Sequence, residues 1–217
     1  MAKQWIAVQI KRGKPGDKSF MQTFSVPLEE NSTVLTALIW IRENLDPTLA
    51  FRYSCRSKRC GLCAVQIDGK PVLSCMARFK PNSVIEPLDN LPVVRDLVVD
   101  REKILARLEE YRLFIPEGSP AGEKFVFIDS DPRKNLFLCL ECLGCLTTCP
   151  EYRYHGEFGG PFLYVKLAQL HYDPRDTADR RGQASMSGID RCRECGRCYC
   201  INGVSIYRNA IRPLLGI

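Results

Sequence analysis

Apolar and polar residues alternate over residues 3–10 (KQWIAVQI), the period of a half-buried strand. The turn GKPGDK follows, and FMQTFSVPL is extended again, so the two segments are expected to pair as a hairpin. In STVLTALIWIREN the apolar spacing becomes helical, with Ser32 or Thr33 as the N-cap. CAVQIDGKPVLSC reads as two short strands joined at Asp68–Gly69, a strong hairpin signal, and VIEPL adds another strand. From Asp100 the pattern turns helical. REKILARLEEYR is amphipathic, FIPEGSPAGEK is a Pro/Gly-rich loop, and NLFLCLECLGCL, FLYVKLAQLHY and SIYRNAIRPLLG are further helical candidates. The expected chain is α+β, with a small α+β domain at 1–103 and an all-α domain at 104–217.

Cysteine usage sharpens this division. The 217 residues include twelve cysteines, four between Cys55 and Cys75 and eight between Cys139 and Cys200. Each half is near the size at which a hydrophobic core alone is marginal, so bound metal would add to stability. Disulfides belong mostly to small secreted proteins. The start, MAKQWIAVQIKRGKPGDK, has no apolar run with a cleavage site, so reduced thiols and a cytoplasmic location are expected. No stretch approaches the roughly eighteen apolar residues of a membrane helix. The net charge of +6 is interleaved with acids, as in DPRDTADRR, which reads as solvated surface and not as a nucleic-acid footprint. Basic residues in CRSKRC and RCRECGRC would offset the charge of thiolate-ligated clusters or meet an acidic partner.

Cys55, Cys60, Cys63 and Cys75 follow C-x4-C-x2-C…C, the plant-type spacing for a [2Fe–2S] cluster. A tight loop supplies three thiolates, Gly61 lets its backbone pass close to the sulfides, and the hairpin end supplies the fourth. Zinc would need two C-x2-C knuckles, and this group has one. Cys139, Cys142, Cys145 and Cys149-Pro150 follow C-x2-C-x2-C-x3-C-P, the bacterial ferredoxin run whose fourth cysteine serves a different cluster. The pattern demands a second triplet, and Cys192, Cys195 and Cys198 supply one. Closure then crosses over: Cys149 joins the second triplet and Cys200 completes the first. All twelve cysteines are used by three clusters.

A plant-type domain followed by a helical two-cluster domain resembles the iron–sulfur subunit of succinate dehydrogenase and fumarate reductase. RYSCRSKRCGLCAVQIDGKPVLSC looks like that family's first cluster loop, LVVDREKILARL like its linker, and CLECLGCLTTCPEY like its second motif. The stretch from FGGPFLYVKLAQ to DPRDT looks like the helix that follows. The resemblance implies an N-terminal plant-type ferredoxin (β-grasp) domain and an all-α bacterial-ferredoxin-like domain. It implies [2Fe–2S] on Cys55, Cys60, Cys63 and Cys75, [4Fe–4S] on Cys139, Cys142 and Cys145, and a third cluster on Cys149, Cys192 and Cys198. It further implies a flavoprotein partner carrying FAD and the dicarboxylate site, and a membrane anchor or other redox subunit that holds the chain on the inner face of the cell membrane.

Two departures qualify the resemblance. Quinone-reactive members usually carry a tryptophan after the Cys-Pro; CPEYRYHGEFGG has Tyr152, Arg153 and Tyr154 and no tryptophan. The last motif is usually C-x5-C-x3-C-P; CRECGRCYCING adds Cys195, brings the last cysteine forward to Cys200 and lacks the proline. Cys195 is expected as the fourth ligand of a third cluster that is [4Fe–4S] and not [3Fe–4S], or else it is a spare thiol.

The chain has no G-x-G-x-x-G phosphate fingerprint and only two histidines, His155 and His171. Flavin and substrate are therefore expected on a partner, and no catalytic residue is assigned. The leading reading is an electron conduit in a succinate/fumarate-type complex. The alternative is a soluble thiol:fumarate-reductase or heterodisulfide-reductase-like complex without quinone. A structural or iron-sensing module fits poorly, because a sensor needs only one labile cluster.

Overall fold

Alternation along β1 (Gln4–Arg12) turns Ile6, Val8, Ile10 and Arg12 to one buried face. The strand pairs antiparallel along its whole length with β2 (Phe20–Leu28), with Val8 opposite Phe24. β3 (Ala64–Ile67) and β4 (Lys70–Leu73) form the second expected hairpin. Asp68 and Gly69 take φ of 50° and 76°, the two left-handed residues that a type I′ turn requires. β5 (Ser83–Glu86) runs parallel to β1 and antiparallel to β3, giving a mixed sheet of order β2-β1-β5-β3-β4. The helix α1 (Val34–Asn44) buries Val34, Leu35, Leu38 and Ile41 and packs against β2. Its N-cap is Thr33, which accepts from the Thr36 amide while the Thr36 hydroxyl accepts from the Thr33 amide. This reciprocal cap satisfies two otherwise orphaned groups at the helix start.

A short ribbon of β6 (Val93–Arg95) and β7 (Val98–Val99) has no counterpart among the expected elements. Strands this short carry no readable alternation. Asp96, at the turn between them, fixes the ribbon in place. Its carboxylate accepts from the Gly13 and Ala50 amides and pairs with the Arg12 Nε at 3.0 Å. Arg12 is buried and also donates to Asp46 and Gln22, each at 2.6 Å, so its charge is compensated.

The computed structural model describes residues 4–115 and 130–217; most of the Pro/Gly-rich loop lies outside them. The described residues form two units: 4–100 with 140–147, and 101–115 with 130–139 and 148–217. The short segment 140–147 is part of the first unit's core, with Leu143, Cys145 and Leu146 buried. It contains α4 (Gly144–Thr147), whose Thr147 hydroxyl donates to the Asp89 carbonyl. The carbonyls of Leu146 and Thr147 accept from the Asn90 side chain.

In the second unit, α2 (Glu102–Glu110), α3 (Asp131–Leu136), α5 (Gly160–His171), α6 (Arg180–Met186) and α7 (Arg212–Leu215) are joined by irregular chain. α5 is apolar nearly all round and is its core, burying Phe162, Leu163, Tyr164, Val165, Leu167 and Ala168. Two expectations need correction, and one helix is additional. NLFLCLECLGCL is not one helix: α3 stops at Leu136, and Glu141 and Leu143 have φ of 55° and 66°, a twist no α-helix contains. SIYRNAIRPLLG is helical but opens into a π turn over Tyr207–Ile211 before α7. Pro213, in the first turn of α7, has no amide to continue the regular ladder. α6 has no counterpart among the expected elements; Asp179 caps it by accepting from the Gly182 amide.

Arg180, in α6, is 2% exposed and ties this unit together. It pairs with Asp176 through two hydrogen bonds, and it donates to the Arg112 and Phe114 carbonyls beyond the end of α2.

Candidate metal centres

The first quartet lies wholly within the first unit. Cys63 immediately precedes β3 and Cys75 follows β4, and both are buried. The turn carrying Cys75 is pinned by the start of α1. The Val34 amide donates to Ala77 at 2.9 Å and the Leu35 amide to Ser74 at 2.8 Å. These are helix-terminal donors with no partner inside their own helix. Cys55 sits on irregular chain in which Arg56, Lys58 and Gly61 all have left-handed φ. That twist aims the Ser57 and Arg59 amides at the Cys55 sulfur, 3.4 and 3.3 Å away. These donors draw the Cys55 thiol down to about 6. Burial pushes Cys75 up to about 11, with further contributions from Cys63 and Cys55 nearby, and Cys60 interacts with Cys55. The four thiols therefore form one connected group.

Exposed cations ring this loop: Arg52, Arg56, Lys58 and Arg59. The guanidiniums of Arg56 and Arg42 lie 5.2 and 5.6 Å from the Tyr53 ring centre. Arg42 donates to the Tyr53 hydroxyl at 3.0 Å and, with Arg56, holds that phenol below its ordinary range.

The second quartet is divided between the units. Cys142 and Cys145 belong to the first; Cys139 and Cys200 belong to the second. Within the second unit, Asn202 donates from its side chain to the Leu138 carbonyl at 2.7 Å and from its amide to the Cys200 sulfur at 3.4 Å. Asn135 extends the same seam, donating to the Gly203 carbonyl and accepting from the Ser205 amide. Cys200 is thus laced to the chain beside Cys139 despite its early position and missing proline.

The third quartet lies wholly within the second unit. Cys149, Cys192, Cys195 and Cys198 line one pocket, together with the apolar side chains of Phe158, Pro161 and Ile211. Burial raises the thiols of Cys149 and Cys192 and pushes Cys198 up to about 11, each with additions from its neighbours in the quartet. Residues 192–200 form no regular structure. Two backbone angles match those of the first triplet: Glu194 and Gly196 have φ of 50° and 66°, as Glu141 and Leu143 have 55° and 66°. Each pair stands two and four residues after the first cysteine of its triplet, so the backbone turns the same way on either side of Cys195 and Cys142. Side chains brace the loop. Arg193 pairs with Glu151, Arg191 with Glu157, and Tyr207 donates to Glu194 at 2.6 Å. Four soft thiol donors around one pocket fit an iron–sulfur cluster.

The other residues singled out in the sequence are not thiols, and the Tyr152 amide hydrogen-bonds to the Cys149 sulfur. Tyr152 and Tyr154 are buried, and the Tyr154 hydroxyl accepts from the Lys103 amide at the start of α2. Arg153 folds back on the Pro150 and Tyr152 carbonyls. His155 packs edge-on against Tyr154, and His171, lowered by burial, packs against Tyr172. Sequence reading missed the bracing residues Asn135, Asn202 and Asp96. An asparagine carries no signal of this kind until its partners are known.

Residues 7–106 match a 2Fe-2S iron-sulfur cluster binding domain, and residues 131–201 match a 4Fe-4S dicluster domain. The fumarate reductase iron-sulfur subunit of Mycobacterium tuberculosis is 33% identical over 92% of this chain and 87% of its own length. A subunit of the fumarate reductase (CoM/CoB) of Methanothermobacter marburgensis is 33% identical over 96% of this chain, which spans only 43% of that relative. Among solved structures, the Mycobacterium smegmatis Sdh1 complex in the apo form contains a chain that superposes with a TM-score of 0.86 at 27% identity, covering 99% of this chain and 95% of that one. The chain belongs to the family of iron–sulfur subunits of fumarate reductases and succinate dehydrogenases.

Proposed function

We propose that the chain relays electrons within a flavoprotein oxidoreductase of the fumarate reductase and succinate dehydrogenase type, and that it holds no substrate site itself. Cys55, Cys60, Cys63 and Cys75 hold [2Fe–2S]. Cys139, Cys142, Cys145 and Cys200 hold [4Fe–4S]. Cys149, Cys192, Cys195 and Cys198 hold a second [4Fe–4S] in place of a three-iron cluster. The observation that carries this reading is the convergence of Cys149, Cys192, Cys195 and Cys198 on one cavity. A bound cluster accepts and returns single electrons. The chain's own part is to hold the thiolates, bury Cys63, Cys75 and Cys145 away from water, and donate amide hydrogens to sulfur, as Ser57 and Arg59 do to Cys55.

A flavoprotein with FAD and the dicarboxylate site docks at the first domain, 1–103. The all-α second domain, 104–217, faces a membrane anchor or another redox subunit on the cytoplasmic side of the membrane. Among the described residues no helix is long and apolar enough to cross a membrane. EPR of the air-oxidised complex tests the third cluster. No stoichiometric [3Fe–4S] signal is expected, and Cys195→Ser should create one or lose the cluster. A full [3Fe–4S] signal in the undamaged wild type overturns the assignment.

A second reading is a thiol-linked fumarate reductase without quinone. It is favoured by the likeness to the CoM/CoB-named relative and by the burial of Tyr152 and Tyr154. Reduction of the purified native complex by a thiol pair, and not by a quinol, would select it.

A further inference from the structure

The first cysteine loop touches the segment that carries Cys142. A side-chain carbon placed at Gly61 would stand 2.1 Å from the Leu140 carbonyl oxygen and 3.0 Å from both the Cα and the amide nitrogen of Cys142. These obstacles are backbone, which cannot rotate aside. Gly61 also has φ of 67°, a conformation that costs other residues energy. Spacing alone suggests that Gly61 clears the cluster its own loop holds; the structure gives it a second neighbour, in the ligand run of the next cluster. The contact is built, not incidental. Residues 140–147 are anchored by buried Leu143 and Leu146 and clamped by Asn90.

We propose that Gly61 is a positioning residue that brings the loop of Cys60 and Cys63 into backbone contact with Cys142, making this contact the crossing between the first two clusters. The proposal rests on the cysteine grouping given above. An electron that crosses here leaves one ligand loop and enters the other; no bond breaks and no proton moves with it.

The test is Gly61→Ala in the native complex, with Gly69→Ala as control. Gly69 has φ of 76° and nothing within 4 Å of an added side-chain carbon, so it carries comparable backbone strain without the contact. Iron content and the separate EPR signals report assembly. The spin–spin interaction between the two reduced clusters, and the rate of electron passage from first to second in rapid-freeze experiments, report the crossing. Gly61→Ala should keep both signals, weaken the interaction and slow passage several-fold, while Gly69→Ala changes neither. If Gly61→Ala does not assemble, Asn90→Gly decides. It loosens the clamp from the far side and removes the strain of Asn90's own φ of 63°, and it should weaken the interaction and slow passage. Unchanged interaction and rate in an assembled Gly61→Ala, or in Asn90→Gly when Gly61→Ala fails, overturn the proposal. Absence of [2Fe–2S] or [4Fe–4S] signals from the wild type would instead overturn the grouping on which it stands.

Discussion

Around Cys63 and Cys75 the backbone is held by strands β3 and β4 and by the amides that begin α1. Around Cys192, Cys195, Cys198 and Cys200 it is held by no regular structure at all. The first loop inherits its shape from a sheet and a helix that fold by burying Val8, Ile10 and Val26 against Leu38 of α1. The last loop depends on left-handed residues and on braces such as Arg193–Glu151 and Arg191–Glu157, whose side chains are largely solvated. Exposed pairs of this kind contribute about 0–1 kcal/mol each. The two loops offer similar thiol sets to a cluster but differ in how far the polypeptide alone can set them.

Removal of iron should break the comparison most visibly. Chelation under reducing conditions is expected to leave the strand signal of the first unit and to disorder residues 192–200, because the binding energy of an ordering group is folding energy, on the order of 10 kcal/mol for structural metal sites. Limited proteolysis with mass spectrometry reads this: early cleavage within 192–200, with the 4–100 sheet resistant. Equal protection of both loops in the apo protein would mean that the braces suffice.

Next in size is a pair of arginine deletions. Arg180→Ala strands Asp176, whose side chain is 1% exposed, and should destabilise the second unit by about 3–5 kcal/mol. Arg12→Ala strands Asp96 and the more solvated Asp46, 5% and 19% exposed, and should cost the first unit less, about 2–3 kcal/mol. Urea unfolding followed separately in each unit measures both. A larger loss for Arg12→Ala would reverse the view that the helical unit leans more heavily on one buried pair.

The smallest effect should be shared. Arg12 and Thr48 hold the Asp46 carboxyl down at about 2, and Arg175 holds Asp173 at about 2. Folded values below the unfolded value mean that this stabilisation is present above about pH 4 and is lost as pH falls toward 2. The pH-dependent contribution should be about 1 kcal/mol for Asp46 after the discount for solvent screening, and about 2 kcal/mol for Asp173, whose side chain is 2% exposed. Asp46→Asn and Asp173→Asn should therefore each flatten the acid limb of a stability–pH curve. A curve unchanged in both variants would show that the acid sensitivity lies elsewhere.

Local order along the chain determined much of this protein. Both hairpins, Thr33 at the head of α1, the Asp68–Gly69 turn and α5 follow from residues that touch their near neighbours, so periodicity and turn chemistry carry them. The cysteine spacings are equally local, and they announce iron–sulfur chemistry before any fold is known. What tertiary structure decided is what distant residues do to one another. Residues 140–147 join the first unit's core, and Gly61 answers to Leu140 and Cys142 as well as to its own loop. Cys200 is laced beside Cys139 through Asn202 and Leu138. Helical periodicity across NLFLCLECLGCL gave way to the left-handed turns at Glu141 and Leu143. A pattern of apolar residues records which faces are buried, but not against what. The twist that points three sulfurs to one side is set by contacts made only after the chain has closed on itself.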